Sequence, residues 1–109
     1  MIINFNGIEE TRTSGFKGGI GEFAVRMHSD DLGKIMYGSL KPGASIGFHK
    51  HETSSEIIYI LSGKADFLYD EETEEMTAGG CHYCPKGHSH SMMNNGGEDL
   101  IFFAVVPEQ

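Results

Sequence analysis

Between Gly43 and Gly63 the chain reads G-x5-H-x-H-x4-E-x6-G, so His49, His51 and Glu56 fall in one short stretch bounded by glycines. Imidazoles and carboxylates hold transition-metal ions, and an ion needs several of them at one point. The spacing favours convergence, because side chains alternate faces along an extended strand: His49 and His51 point one way and Lys50 the other. Gly47, one step earlier on that face, leaves space beside the rings. Glu56 opens a second apolar run that would return antiparallel and aim its carboxylate at the same point, closing a three-ligand hairpin. From Gly79 the chain reads G-x5-P-x-G-x2-H-x3-N. After the turn at Pro85 and Gly87, His90 offers a fourth ligand, with His88 two residues earlier on the same face of an extended strand. A lone histidine on an apolar face is usually a core residue with one hydrogen bond. Three imidazoles and a carboxylate buried together would be costly unless something satisfied them.

The two stretches together match both motifs of the cupin superfamily at all ten defining positions: Gly43, His49, His51, Glu56, Gly63, Gly79, Pro85, Gly87, His90 and Asn94. Either half alone is a weak signal; the combined spacing is specific. The chain therefore resembles a cupin of the small, single-domain bacterial type over Gly43 to Asn94, about half of its 109 residues. The resemblance implies a conical jelly-roll barrel of two antiparallel sheets and a metal held by His49, His51, Glu56 and His90. It selects His90 over His88, which is left as a surface residue of the pocket or its mouth. His28 and His82 match no ligand position and are expected to be structural.

The rest of the sequence agrees with an all-β domain spanning 1–109, since this length lies within the usual single-domain range of about 50 to 200 residues. Met1 to Phe5 is a brief apolar run suited to an edge strand, and the Gly-rich stretch that follows completes an irregular arm over about 1–21. Strands are expected over Glu22 to His28, Ile35 to Lys41, Ser45 to His51 and from Glu56 onward. Further strands are expected over Ala65 to Tyr69, Cys81 to Cys84, His88 to Asn94 and Leu100 to Val106. No convincing helix is present, and clusters of Gly, Pro, Asn and Asp separate the strands. Asp70 to Glu75 reads as a solvated acidic hairpin tip with flexible, unconverged carboxylates.

Sixteen Asp and Glu against eight Lys and Arg give a net charge of -8, which argues against nucleic acid or an anionic membrane as partner. No apolar run approaches the roughly 18 residues of a membrane span. Cys81 and Cys84 cannot form a disulfide framework, and at i and i+3 on a strand they face opposite ways. They are expected to be small buried hydrophobes in a protein of the reducing cytoplasm. A thioredoxin-like reading of C-x-x-C fails, because Pro85 and Gly87 stop the helix that such a motif requires.

Three neutral imidazoles and one carboxylate suit Fe, Mn, Ni, Co, Cu or Zn and leave coordination positions open for a small-molecule ligand. The expected activity is that of a metal-dependent oxygenase, decarboxylase or isomerase acting on a small carboxylate, carbonyl or sugar-derived compound. The alternative is a non-catalytic binding or sensor protein with the same metal pocket; no proton-transfer residue is identifiable. Fixing His49, His51 and Glu56 inward turns Ile46, Phe48, Ile57, Tyr59 and Leu61 outward. As one contiguous patch, that row predicts a homodimer.

Overall fold

The computed structural model describes residues 1–109. Its ten strands are β1 (Thr11–Ser14), β2 (Glu22–Asp30), β3 (Gly33–Leu40), β4 (Ser45–Lys50), β5 (Glu56–Ser62), β6 (Lys64–Tyr69), β7 (Glu72–Thr77), β8 (Cys81–Cys84), β9 (Ser89–Met93) and β10 (Leu100–Pro107). No helix is long and apolar enough to cross a membrane. The strands form a six-stranded sheet, ordered β1, β2, β3, β10, β5, β8, and a four-stranded sheet, ordered β4, β9, β6, β7. All pairings are antiparallel. The two sheets form a jelly roll whose hydrogen bonding is not continuous around the barrel.

Alternation along the strands builds the core. Phe23 and Val25 on β2, Met36 and Leu40 on β3, Ile58 and Ile60 on β5, and Leu100, Phe102 and Ala104 on β10 are buried from the larger sheet. Ala65 and Phe67 on β6 and Met92 on β9 meet them from the smaller one. Phe102 stacks on Phe23 with centroids 6.0 Å apart, and burial of such rings is the main stabilising term here. The alternate residues Ile57, Tyr59 and Leu61 face outward, as the sequence predicts.

Strand β4 departs from simple alternation. A register shift lies between Ile46 and His49 where β4 pairs with β9. The irregularity puts Ile46 inside with His49, three residues on, while Phe48 is exposed. Ile46 therefore leaves the expected outward row. That row is also not one patch, because β4 and β5 belong to different sheets and the expected ligand hairpin does not form. Gly47 is where the N-terminal arm crosses β4: a Cβ on Gly47 would run into the carbonyl of Lys17, and one on Gly19 into that of Ser45. Paired hydrogen bonds between Ser45 and Ile20 fix the crossing, with Ser45 Oγ accepting from Ile20 N–H at 2.9 Å.

Local polar chemistry produces three further departures. The first residues do not form an edge strand; Asn4 Oδ1 accepts the Asn6 N–H and starts a 3-10 turn over Phe5–Gly7. Within the expected irregular arm, Thr11–Ser14 pairs with β2 as β1, a polar edge strand without the apolar alternation that would reveal it. Most of the acidic stretch is likewise the edge strand β7, with the turn confined to Asp70 and Glu71. An edge strand tolerates charges because one side of its backbone meets water.

Asn94 joins the elements around the site. Its side chain is fully buried, its Nδ2 donates to the carbonyls of Leu40 and Glu98 at 2.8 Å each, and its Oδ1 accepts the Gly96 N–H at 2.9 Å. Asn94→Ala strands the buried Leu40 carbonyl and removes the hydrogen bonds to Glu98 and Gly96. The expected loss is about 2–4 kcal/mol of folding stability, read from urea unfolding of metal-free protein. A loss below about 1 kcal/mol would show that water replaces the amide.

Candidate metal centre

Both sheets contribute to the site. His49 on β4 and His90 on β9 are register partners, and His51 lies one residue beyond β4. Glu56 begins β5 in the facing sheet. The position of His51 comes from its backbone: its N–H donates to the His88 carbonyl at 3.0 Å, and its carbonyl accepts from the Gly87 N–H at 2.7 Å. Gly87 has φ +92°, so the turn after Pro85 requires glycine there.

The three imidazoles form a near-equilateral triangle, with centroids 5.0 Å apart for His49 and His51, 4.8 Å for His49 and His90, and 4.8 Å for His51 and His90. Glu56 closes it: Oε1 lies 3.2 Å from His51 Nε2 and 3.0 Å from His90 Nε2, and these nitrogens are 2.9 Å apart. One donor atom from each of His49, His51, Glu56 and His90 lies within 4.8 Å of all the others. The four residues are positioned to bind a metal ion.

At every imidazole Nδ1 is engaged from outside. His49 Nδ1–H donates to the Gly47 carbonyl at 2.7 Å, His51 Nδ1 is 3.0 Å from Ser54 Oγ, and His90 Nδ1 is 3.0 Å from His82 Nε2. Each ring is thereby turned to present Nε2 inward, the role that outer partners play around metal ligands. Burial lowers the His49 pKa, though its bond to Gly47 pulls the other way, so the ring stays neutral with its lone pair available. Burial pushes the Glu56 carboxyl up, but hydrogen bonds and charge from His51 and His90 outweigh this and hold it at about 2.

His49, His51 and Glu56 line a cavity of about 640 Å³. Phe16, Phe23, Val25, Ile46 and Phe102 contribute apolar wall, and Lys17 lines it from the arm.

A family model described as the cupin domain matches residues 36–106. The chain belongs to the cupin family. This cupin is 34% identical to a Thermotoga maritima protein named oxalate-binding protein, over 97% of this chain and 93% of the relative. A crystal structure of a Thermotoga maritima protein described as a predicted oxalate decarboxylase superposes with a TM-score of 0.93 at 32% identity, with 100% of both chains covered. The cupin domain of Schizosaccharomyces pombe Cnp3 shares the fold alone, with a TM-score of 0.80 at 14% identity over 100% of this chain and 74% of the other.

The remaining candidates fall elsewhere. His88 is on the surface, its Nδ1 2.6 Å from Asp70 Oδ2, and His28 pairs with Asp30. Cys84 is buried, and desolvation is the main cause raising its thiol to about 12; Cys81, expected to be buried, is exposed because it lies on the opposite face of β8. The acidic stretch is not unconverged, since Asp70 meets His88 and Ser89 N–H, and Glu74 meets the buried His82. Sequence reasoning missed the roles of Ser54, His82 and Glu74. Alternation would have turned His82 inward with Cys84, but nothing local indicates that its partners are His90 and Glu74.

A carboxyl whose folded pKa lies below its unfolded value contributes stability above the unfolded value and loses it as pH falls through the folded one. For Glu56 the window runs from the ordinary 4.5 down to about 2. In metal-free protein, Glu56→Gln should flatten the acid limb of stability across that window, measured by urea unfolding at stepped pH. A limb as steep as the wild type's would mean that Glu56 does not ionise against the imidazoles.

Proposed function

We propose that this cupin binds a divalent transition-metal ion through His49, His51, Glu56 and His90 and uses it to hold a small carboxylate of the oxalate type. The observation that carries this reading is the convergence of four buried or half-buried donors, three of which line a cavity. Three neutral imidazoles and one carboxylate leave a divalent ion with one net positive charge. A dianion that chelates through two oxygens is its natural complement. The Thermotoga maritima relative named oxalate-binding protein supports that ligand class.

When bound, the metal would supply Lewis-acid or redox chemistry at the carboxylate. The chain's own residues do the positioning. His49 keeps its Nε2 aimed inward through Gly47 and His51 through Ser54, and Phe16, Phe23, Ile46 and Phe102 give the cavity apolar wall. A catalytic second reading rests on Glu52, which lines the cavity one residue after His51. Loss of CO2 from oxalate requires a proton at the remaining carbon to give formate, and in this reading the Glu52 carboxyl would supply it.

Elemental analysis after identical loading should show less bound metal in each of the His49, His51, Glu56 and His90 alanine variants, with His28→Ala like the wild type. Oxalate should raise the melting temperature of loaded protein and leave metal-free protein unchanged, because a ligand of the native state stabilises by mass action. Full metal content in His90→Ala, or the same oxalate shift without metal, would overturn the reading. Formate appearing in the loaded wild type and lost in Glu52→Gln would establish the catalytic version.

The outer face of the larger sheet supports a homodimer. Ile57, Tyr59 and Leu61 on β5, Tyr83 on β8 and Tyr37 on β3 are exposed, and Phe103 on β10 pairs between Tyr37 and Tyr59. Phe5 of the arm packs on Tyr37 and Phe103 and leaves the β5 and β8 side for a second copy. The free thiols suit a reducing compartment such as the cytoplasm. Light scattering should give twice the chain mass, with Tyr59→Glu shifted toward monomer. A wild type that is monomeric at every concentration would refute the pairing.

A further inference from the structure

We propose that Glu74 and His82 are a positioning pair that sets the proton arrangement of His90 and so its strength as a ligand; the proposal rests on the metal reading above. His82 lies on β8 with its side chain at 0% exposure. Its ring stacks on Phe67 with centroids 4.0 Å apart and is tilted by 16° from the His90 ring, 5.2 Å away between centroids. His82 Nε2 is 3.0 Å from His90 Nδ1, and His82 Nδ1 is 2.8 Å from Glu74 Oε1. The chain of contacts begins on edge strand β7, crosses to β8 in the facing sheet and returns to β9.

The direction of the bonds follows from their outer end. An ionised carboxylate can only accept, so the single proton of His82 sits on Nδ1 and is donated to Glu74. His82 Nε2 is then bare and must accept. The proton it accepts is on His90 Nδ1, which leaves His90 Nε2, beside Glu56 and His51, as the nitrogen that can exchange its hydrogen for a metal ion. Reversing the order would place a hydrogen on His90 Nε2, where the metal must bind. The Gly47 carbonyl imposes the same proton placement on His49 directly; for His90 the carboxylate does so through one intervening ring. A buried histidine that merely satisfied its own hydrogen bonds would leave metal affinity unchanged when its outer partner was removed.

Mn(II) and Zn(II) should be titrated separately into metal-free wild type, Glu74→Ala, Glu74→Gln and His82→Phe. Glu74→Ala and His82→Phe should weaken binding of both ions about 10- to 100-fold, and Glu74→Gln, which keeps an accepting oxygen, should fall between. Glu74 is on an edge strand, half-exposed, so Glu74→Ala should remain folded without metal, with a lowered melting temperature, and carry the test even if His82→Phe folds poorly. In the Zn(II)-loaded wild type, a long-range proton–nitrogen spectrum should show His82 protonated at Nδ1 and bare at Nε2. Protonation at Nε2 instead, or wild-type affinity for both ions in Glu74→Ala, would overturn the pairing. A wild type that bound neither ion would remove the four-ligand reading and the pairing with it, an outcome distinct from loss of the coupling alone.

Discussion

The structure depends on a carboxylate oxygen and two imidazole nitrogens packed within 3.2 Å of one another and largely removed from water. All three atoms carry lone pairs, and in a medium of low dielectric such a cluster is stable only with positive charge inside it, as protons or a metal ion. The fold holds the cluster together by making its members belong to different sheets. Glu56 is rooted in the six-stranded sheet and His90 in the four-stranded one, so the cluster cannot relax without separating layers that share the Phe102 and Phe67 core. A site built this way is rigid because the core is rigid.

The histidines are oriented by progressively more distant means. His49 is turned by a carbonyl two residues away, His51 by a hydroxyl three residues away, and His90 by a ring and a carboxylate from two other strands. The first two anchors form almost automatically when the local chain folds. The third exists only after β7, β8 and β9 have assembled, which ties the orientation of His90 to completion of the tertiary structure.

That gradient also explains what was legible in the sequence. Strands β2, β3, β5, β6 and β10 announce themselves by alternation, and the donor set by spacing, because both are local periodicities. Ile46 was misplaced because one irregularity in β4 reverses the faces on either side of it, and nothing in Ser45 to His49 marks it. Strand β1 lacked apolar residues to alternate. The charge of β7 concealed a strand whose Glu74 is oriented toward the interior. His82 could be turned inward by period two, but its partners lie eight residues away on either side along the chain and across two sheets, and no short pattern encodes such a contact. The hairpin error has the same origin: a loop of a few residues between β4 and β5 permits either pairing within a sheet or a crossing between sheets.

The crossing of the arm over β4 at Gly19 and Gly47 separates two jobs within one cavity. The ligand cluster comes from β4, β5 and β9, whereas Thr11, Thr13, Lys17, Phe23 and Val25 of the wall come from the arm, β1 and β2. Thr11, Thr13 and Lys17 can be exchanged without displacing a donor atom, provided the two glycines remain, whereas Phe23 and Val25 also belong to the core. The polarity of the wall facing the donor cluster is therefore free to vary through residues near the start of the chain while the donor set stays fixed.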